Sequence, residues 1–599
     1  FLFTNSPAQQ PADGENSYRL AAVNKRFLPE PDTISCASGR GVFVAADPDL
    51  DGDGKPEVLV TEYRDGGRVL VFEVVGDDKL EYVWGSKRLN PGGFTSLNSP
   101  RSISVGDFDN NGKLEIFFQI GQSKSDSLEK AQRGLYFYEF TGNDNDYGDE
   151  PIRHVKFEEI EPLYAQADLG AQVEEGMVCE DIDGDGKNEL LFVSHLRNDP
   201  PLEAANMYIL EVESGTFENG DASIRVEFKY TEMGKAIDLG DDGYAPVSAA
   251  VGDIDNDGLN EIVVLGRVIR SAGEAVGFVQ VDSVDTYSPG SLVPLGEFNR
   301  FAVKAGVEVM DVNGQKVVFI AGGYGSNTGD IFVIENIVSE AFVSPDDIKT
   351  LVSDTDFTRW GIMAIGDQDH GTGSDGFDIY VSNVEEIHVL EYNGSGPLSV
   401  ESSYTRFGPI AQFNLDTAYD VSDGFFASIY TYPGMDIDND GNREIVVGYK
   451  GSCGKSGPPD RVEGEEFTKN TYGIFVFEWG DPTQSLPITL TTDVADRPNG
   501  FEIITPDDYQ LDQNYPNPFN PTTNISFALP LNKTVSLIIY NSRGQEVRTL
   551  IDQQAFPEGP HVVQWDGRDN RGQDVASGVY VYKLIFGNFQ KSKTMTLVR

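Results

Sequence analysis

The chain has 599 residues, more than one hydrophobic core usually serves, so its length predicts at least two domains. It carries 97 acidic and 45 basic residues, a net charge of −52, which argues against nucleic acid or an anionic membrane surface as a partner. Aromatic residues at 11% and 64 glycines are typical of a β-rich protein with many turns. No stretch approaches the roughly 20 apolar residues of a transmembrane segment.

Residues 1–16 are predicted to be an N-terminal extension. Phe1-Leu-Phe is apolar, and a Pro/Gln/Asp/Gly/Asn-rich linker follows from Ser6 to Ser17. An apolar strand on such a tether is able to pair with a sheet edge of a second copy. The alternative is a frayed terminus. Deleting Phe1 to Thr4 separates the two interpretations, because only the first makes assembly depend on these residues.

The next predicted elements are four short strands around one acidic loop. Val42-Phe-Val-Ala precedes the loop and Val58-Leu-Val follows it. Asp65-Gly-Gly indicates a tight hairpin before a third strand at Arg68-Val-Leu-Val-Phe-Glu-Val, and Tyr82-Val-Trp is the predicted fourth. Later parts of the chain repeat this order, and no helical periodicity of comparable strength is present.

The acidic loop recurs seven times, at intervals of 56 to 74 residues, which is the length of a four-stranded propeller blade. The first acidic residues of the seven loops are Asp49, Asp107, Asp181, Asp253, Asp311, Asp367 and Asp436. The repeat therefore predicts an all-β fold with a seven-bladed β-propeller over residues 17–492. In such blades the connections between first and second strands all lie on one face. The second-to-third connections, whose lengths vary, lie on the other face and are the predicted recognition surface.

Closure of the predicted ring leaves two questions open. Either Tyr18-Arg-Leu-Ala-Ala-Val or Pro487-Ile-Thr-Leu-Thr-Thr supplies the outer strand of the last blade. Cys36 lies just before the first repeat and Cys453 just after the last. Ring closure brings these two ends together, so the two cysteines either form a disulfide or remain buried thiols. Cys179 is predicted to be an ordinary core residue.

Five loops follow the pattern Asp-x-Asp-x-Asp/Asn-Gly-x-x-Glu, which predicts a metal site in each. Oxygen ligands at positions 1, 3, 5 and 9, with a carbonyl at position 7, suit calcium better than magnesium, which prefers smaller octahedral sites that keep water. Glycine at position 6 permits the sharp turn. The final acid at position 9 and the flanking strands argue against an EF-hand. The predicted ligands are Asp49, Asp51, Asp53, Glu57; Asp107, Asp109, Asn111, Glu115; Asp181, Asp183, Asp185, Glu189; Asp253, Asp255, Asp257, Glu261; Asp436, Asp438, Asp440 and Glu444.

The remaining two loops depart from this pattern. The fifth, from Asp311, lacks the later acids and is predicted to bind no metal. The sixth carries an insertion, and its candidate ligands are Asp367, Asp369, Asp375 and Asp378. The prediction is therefore about five to six calcium ions for the chain. A lone His370 in the sixth loop is more typical of an exposed loop residue than of a ligand for a softer metal.

These loops and their spacing resemble the FG-GAP or VCBS repeats of integrin-type seven-bladed propellers. The resemblance covers about four-fifths of the chain. It implies that calcium in the five intact loops is structural and braces the hairpin between two strands.

The character of the chain changes after residues 493–508, a predicted linker. Residues 509–599 hold short alternating strands and are predicted to form a small Ig-like β-sandwich. This module resembles the C-terminal sorting domain of the bacterial type IX secretion system at Asn514-Tyr-Pro-Asn-Pro-Phe-Asn-Pro-Thr-Thr, at Ala576-Ser-Gly-Val-Tyr-Val-Tyr and at its basic end. The resemblance implies export by that machinery to the cell surface or the extracellular space.

Catalytic motifs do not emerge from the sequence. It has no His-Glu-x-x-His or Gly-x-Ser-x-Gly, and the stretch from Gly448 to Ser456 has the wrong glycine spacing for a phosphate loop. The favoured function is therefore a secreted or surface-exposed, non-catalytic binding or scaffold protein, whose ligand is a polysaccharide, a surface protein or itself. One alternative is a self-assembling fibre or surface layer. The other is a polysaccharide lyase, whose candidate residues are Arg133, His195, Arg197 and Lys450.

Overall fold

A computed structural model describes the sheet-forming parts of the chain. The described residues are 18–23, 39–46, 49–62, 68–76, 79–87, 100, 102–120, 133–160, 170–172, 177–193, 195–197, 207–230, 244–268, 273–297, 306–322, 329–337, 343–354, 363–367, 376–382, 386–413, 426–432, 434–450, 473–479, 488–490, 502–504, 508–587 and 589–599. Phe1 to Thr4, Cys36 and Cys453 lie outside these ranges, so the predictions that concern them stay predictions.

Seven sheets in the described residues share one design, four antiparallel strands in a row, and we call them blades 1 to 7 in chain order. The chain enters through β1 (Tyr18–Val23). Blade 1 holds β2 (Gly39–Ala45), β3 (Glu57–Glu62), β4 (Arg68–Gly76) and β5 (Lys79–Gly85). Blade 2 holds β6 (Ile103–Gly106), β7 (Glu115–Ile120), β8 (Gly134–Glu139) and β9 (Arg153–Lys156), followed by one helical turn, α1 (Phe157–Ile160).

Blades 3 and 4 follow. After β10 (Gly170–Gln172), blade 3 holds β11 (Met177–Glu180), β12 (Glu189–Val193), β14 (Met207–Ser214) and β15 (Ser223–Tyr230). Within it, β13 (His195–Arg197) pairs with β10 in a separate two-stranded sheet. Blade 4 holds β16 (Tyr244–Gly252), β17 (Glu261–Val268), β18 (Gly273–Ser283) and β19 (Thr286–Glu297).

The last three blades complete the series. Blade 5 holds β20 (Gly306–Val312), β21 (Gln315–Gly322), β22 (Gly329–Ile334) and β23 (Ile348–Asp354). Blade 6 holds β24 (Met363–Gly366), β25 (Asp378–Ser382), β26 (Glu386–Tyr392) and, after a 3₁₀ turn (Glu401–Ser403), β27 (Tyr404–Phe413). Blade 7 holds β28 (Phe426–Tyr430), β29 (Glu444–Lys450), β30 (Gly473–Trp479) and the returning β1.

Apolar residues fill the spaces between consecutive blades. Every residue of β7 and of β8 is buried, because neighbouring blades cover both faces of these middle strands. Among the described residues, six apolar clusters lie between consecutive blades, and one of them joins Val58 of blade 1 to Val446 of blade 7. Cys179 packs against the cluster between blades 2 and 3, as predicted. The described sheets thus follow one another around a closed β-propeller.

The N-terminal strand closes the ring. β1 pairs antiparallel with β30, with Leu20 opposite Phe477, and so forms the outer strand of blade 7. The competing segment near residue 488 has another place: β31 (Ile488–Leu490) pairs parallel with β27 at the outer edge of blade 6. Then β32 (Glu502–Ile504) pairs parallel with β5 at the outer edge of blade 1. The two segments after the ring therefore cover the blades on either side of the closure.

Deletion of residues 1–23 should destabilise the ring, because it removes the outer strand of blade 7 and leaves β30 as an open edge. We expect a fall in melting temperature of more than about 5 °C by differential scanning calorimetry. Deletion of residues 1–16 is the matched control and is expected to change it by less than about 1 °C. Equal melting temperatures for the two deletions would contradict closure by β1.

The C-terminal module is a β-sandwich of two sheets. Its strands are β33 (Gln510–Leu511), β34 (Thr523–Leu529), β35 (Lys533–Asn541), β36 (Glu546–Phe556), β37 (Gly559–Trp565), β38 (Gly578–Phe586) and β39 (Phe589–Leu597). One sheet has the order β33-β34-β37 and the other β36-β35-β38-β39. Buried residues alternate with more exposed ones along β34 and β38, and fully buried Trp565 and Tyr582 lie in the shared core. Among the described residues no helix has the length and apolarity needed to cross a membrane.

Candidate metal centres

Each intact acidic loop joins the first and second strands of its blade, so the loops of blades 1, 2, 3, 4 and 7 lie on one face of the ring. In at least four of them the carboxylate oxygens at positions 1, 3 and 9 converge to within 4.8 Å of one another. These groups are Asp49, Asp51 and Glu57; Asp107, Asp109 and Glu115; Asp181, Asp183 and Glu189; and Asp436, Asp438 and Glu444, which Asp440 joins. The structure thus brings together residues that the loop pattern selected.

One hydrogen-bond network recurs in all five loops and explains their shape. The position 1 carboxylate accepts the backbone N–H of the position 6 glycine at 2.8 to 3.1 Å. The position 3 carboxylate accepts the N–H of position 5, and the position 5 side chain accepts the N–H of position 7. The position 6 glycine has φ between 88° and 96°, a left-handed conformation that glycine adopts without strain. The loops therefore turn their carboxylates inward.

The position 9 glutamate is the most buried of the candidate ligands in each loop. It begins the second strand and is at most 1% exposed in all five blades. Its Oε2 accepts the backbone N–H of position 2, at 2.6 to 2.9 Å. In loops 1, 2, 3 and 7 its Oε1 is buried and accepts no hydrogen bond from the protein; these residues are Glu57, Glu115, Glu189 and Glu444.

Burial has an electrostatic consequence for these glutamates. It raises the pKa of Glu189 to about 8, of Glu57 and Glu444 to about 9, and of Glu115 to about 10. An ionised carboxylate with an unpartnered oxygen in such a place is costly unless a cation lies beside it. Because further carboxylates converge on the same point, the donor set fits a hard divalent cation with oxygen ligands.

Further acids lie beside these loops, outside the repeated pattern that predicts the metal ligands. The residue directly opposite the position 9 glutamate on the third strand is also a buried glutamate in four blades. The pairs are Glu57 and Glu73, Glu115 and Glu139, Glu189 and Glu211, and Glu444 and Glu478. Like charges directly opposite each other in antiparallel strands repel. The pairing register therefore favours a positive charge beside the loop in each of these four blades.

A lysine at position 7 supplies part of that charge in the first three blades. Lys113 Nζ lies 3.1 Å from Glu139, and Lys55 and Lys187 contact Glu73 and Glu211 in the same way. The loop sequences show the lysines. They do not show which glutamate each lysine contacts, because the hairpin between the second and third strands differs in length from blade to blade. Asp53 groups with Glu73 and Asp144, apart from Asp49, Asp51 and Glu57, and Lys55 contacts both Asp53 and Glu73.

Replacement of Lys55 by Met should cost about 1–3 kcal/mol of folding free energy, because it leaves the buried carboxylate of Glu73 without its ammonium partner. The matched control is Lys87→Met in the same blade. Lys87 pairs with Glu150 at the surface, and the loss of an exposed pair costs less than about 1 kcal/mol. Urea unfolding of both variants measures the difference; equal costs would show that the Lys55–Glu73 pair contributes no more than a surface pair.

The position 3 carboxylates also connect neighbouring blades. The second oxygen of Asp51, Asp109 and Asp183 accepts a backbone N–H from the hairpin between the third and fourth strands of the next blade. The donors are Asn145 at 2.9 Å, Phe217 at 2.6 Å and Asp285 at 2.6 Å. At position 8, the amide of Asn188 donates to the carbonyl of Asp107, and that of Asn260 to Ile182, both in the preceding blade's loop. Each loop is therefore part of a contact between blades.

The fifth and sixth loops differ from the rest. In blade 5, Asn313 and Gly314 form a tight turn, and Lys316 Nζ lies 3.5 Å from Asp311, so a lysine provides the positive charge there. In blade 6, Asp378 takes the place of the position 9 glutamate, opposite Glu391. Arg443 of blade 7 contacts the side chain of Asp367 at 3.3 Å.

The remaining candidates are the other sixth-loop ligands and the residues suggested for a lyase. Asp369, His370 and Asp375 are outside them, so metal binding by the sixth loop stays a prediction. Of the residues suggested for a lyase, Arg133 begins the third strand region of blade 2, His195 and Arg197 lie on β13, and Lys450 ends β29 of blade 7. They belong to three different blades.

Comparisons with known proteins agree with the two folds. A model of the FG-GAP-like repeat matches residues 49–118, which include loops 1 and 2, and a model of the FlgD Ig-like domain matches residues 514–585. The chain thus combines a β-propeller with an Ig-like domain. No curated protein sequence matches it.

Several solved structures are similar at low levels. The chain is 13% identical to PorZ, an essential bacterial surface component of the type-IX secretion system of Porphyromonas gingivalis, with 91% of this chain and 58% of that chain covered and a TM-score of 0.30. The Dos1 propeller is 9% identical, with 79% and 97% covered and a TM-score of 0.36. A GH43_1 enzyme from Xanthomonas citri is 10% identical, with 46% and 80% covered and a TM-score of 0.23. The chain thus spans little more than half of PorZ, and none of these likenesses supports a conclusion about function.

Proposed function

We propose that this protein is a calcium-braced, seven-bladed β-propeller that binds or scaffolds at the bacterial cell surface without catalysis. The observation that carries the calcium assignment is the buried, unpartnered Oε1 of the position 9 glutamate, which recurs in loops 1, 2, 3 and 7. In each of these loops it lies among converging carboxylates. Calcium, with six to eight oxygen ligands, suits this donor set.

Bracing is the role that the surroundings of the loops favour. The position 9 glutamate accepts a hydrogen bond from the backbone N–H of position 2, and the position 3 aspartate accepts one from a backbone N–H of the next blade. A cation bound by both side chains would fix the hairpin within a blade and the contact between blades at once. Its removal would leave several buried carboxylates facing one another, so the cation contributes to stability.

The proposed location rests on the C-terminal module. Residues 509–599 resemble a type IX sorting domain in sequence, and the Ig-like fold of residues 514–585 is compatible with that role. We therefore propose the type IX secretion machinery as one partner. An extracellular polysaccharide, a surface protein or a second copy is the proposed ligand, bound on the face opposite the metal loops. Most of the second-to-third connections on that face lie outside the described residues.

Surface export is tested by expressing the chain, with and without residues 509–599, in a bacterium that has a type IX system. We expect protease added to intact cells to digest the full chain, while the truncated chain remains protected inside. Equal digestion of both forms would contradict the proposed role of the module.

The lack of catalysis is tested by incubating the purified chain with a panel of polyuronates and following ultraviolet absorbance. No release of unsaturated products is expected. Electron microscopy of the native protein at the cell surface then separates single rings from filaments or a surface layer; filaments would favour self-assembly over the proposed single-ring scaffold.

A further inference from the structure

The chain that leaves the ring returns to its first blade before it enters the Ig-like domain. Residues Glu502–Ile504, β32, pair in parallel with Lys79 to Glu81 of β5. β5 is the outer strand of blade 1, and β32 covers the edge that it would otherwise leave open. Ile504 is fully buried and belongs to the core of the Ig-like domain. A single short strand thus completes a sheet of the propeller and contributes to the core of the next domain.

Glu81 of β5 is the polar centre of this contact. Its carboxylate accepts the hydroxyl of Tyr509 through one oxygen and lies 2.7 Å from Nζ of Lys533 through the other. Glu81 is 3% exposed and Tyr509 is 1% exposed, and the Lys533 side chain is 15% exposed. Both partners come from the C-terminal module. A buried, doubly satisfied carboxylate of this kind is strongly coupled to its partners, because loss of one leaves a charge in an apolar site.

Apolar side chains of each domain also pack against the core of the other. Val75 of blade 1 packs against the core of the Ig-like domain. Phe589 of the Ig-like domain packs against the cluster between blades 1 and 7, with its ring centroid 5.6 Å from that of Tyr82. Aromatic contacts at this separation add to the effect of burial. The two domains therefore share apolar cores as well as a buried ion pair.

Domains joined only by a linker move independently unless their interface is large or well packed. Here strand pairing, a buried ion pair and reciprocal apolar contacts converge on the outer strand of blade 1. We propose that blade 1 is a docking surface for this chain's own Ig-like domain, which holds the domain in place even after the connecting chain is cut. The Ig-like domain is then a permanent structural part of the protein and not a detachable tail.

The test is a full-length chain with a specific protease site inserted between residues 491 and 501. After complete cleavage at about 1 μM, we expect both pieces to co-elute in a 1:1 ratio on size-exclusion chromatography, at a concentration where weak interdomain contacts separate. Elution of the ring and the Ig-like domain as two separate peaks would overturn the proposal. Calcium is present throughout, so the result reports on the contact between the two domains and not on the metal sites.

Two variants of the cleavable chain test whether the named interface residues hold the two pieces together. Glu81→Gln removes the charge that faces Lys533 and is expected to weaken association at least about tenfold. Lys593→Gln, on the exposed face of β39, is the matched control for loss of one charge and should co-elute as the parent does. Should Glu81→Gln fail to fold, Phe589→Ala tests the same surface through its apolar side. Unchanged association in both interface variants would contradict the assignment.

Discussion

Removal of calcium is expected to lower the melting temperature of the protein by at least about 10 °C. Each site held at a hundred times its dissociation constant adds about 2.7 kcal/mol to folding, and five loops share the same network. Without the cation, the position 9 glutamates remain buried opposite a second buried glutamate in blades 1, 2, 3 and 7. Differential scanning calorimetry with calcium and with excess chelator measures the difference.

Two controls make this result specific. Return of calcium should restore the melting temperature, while magnesium at the same concentration should restore much less of it, because magnesium keeps its waters and demands a smaller octahedral site. A change in ionic strength without divalent cations should not reproduce the effect. An unchanged melting temperature in chelator would exclude a structural role for the metal.

Glu189→Gln is expected to destabilise the protein only when calcium is present. With calcium, the variant loses one ligand charge at loop 3, binds one ion fewer and melts about 3 °C or more below the parent. In chelator it should melt at the same temperature or higher. The neutral amide still accepts the N–H of Ile182, and its NH₂ group is able to donate to the carboxylates of Asp181 and Asp183 that converge on it.

The fifth loop offers a matched control for that variant. Asp311 starts the loop of blade 5, where Lys316 lies 3.5 Å away and the later acids are missing. Asp311→Asn is therefore expected to leave the number of bound calcium ions unchanged, and its melting temperature should respond to chelator as the parent's does. A fall in melting temperature for Glu189→Gln in chelator as large as that in calcium would show that Glu189 acts through packing alone.

Local patterns were enough to predict the loops and the strands beside them. The Asp-x-Asp-x-Asp/Asn-Gly-x-x-Glu spacing determines the turn, because each side chain bonds a backbone N–H only two to seven residues away. The burial of Glu189 follows from its place at the start of an apolar strand. Contacts between residues that are close in the chain can therefore be predicted from the sequence pattern.

Contacts between distant segments were not predictable in the same way. Glu57 and Glu73 are 16 residues apart, whereas Glu115 and Glu139 are 24 apart, so only the pairing register shows that each pair lies opposite. Closure by β1 was undecided because two segments of similar β propensity competed for it. The choice depends on which sheet edge each segment reaches, which is a property of the whole ring.

The most direct test of the calcium assignment is a count of bound calcium by native mass spectrometry after exchange into a calcium-containing volatile buffer. We expect at least five calcium ions on the parent chain, one for each intact loop, and one fewer on Glu189→Gln. The Asp311→Asn control should match the parent. A parent chain that carries no calcium, or a count that Glu189→Gln leaves unchanged, would contradict the assignment of the loops as calcium sites.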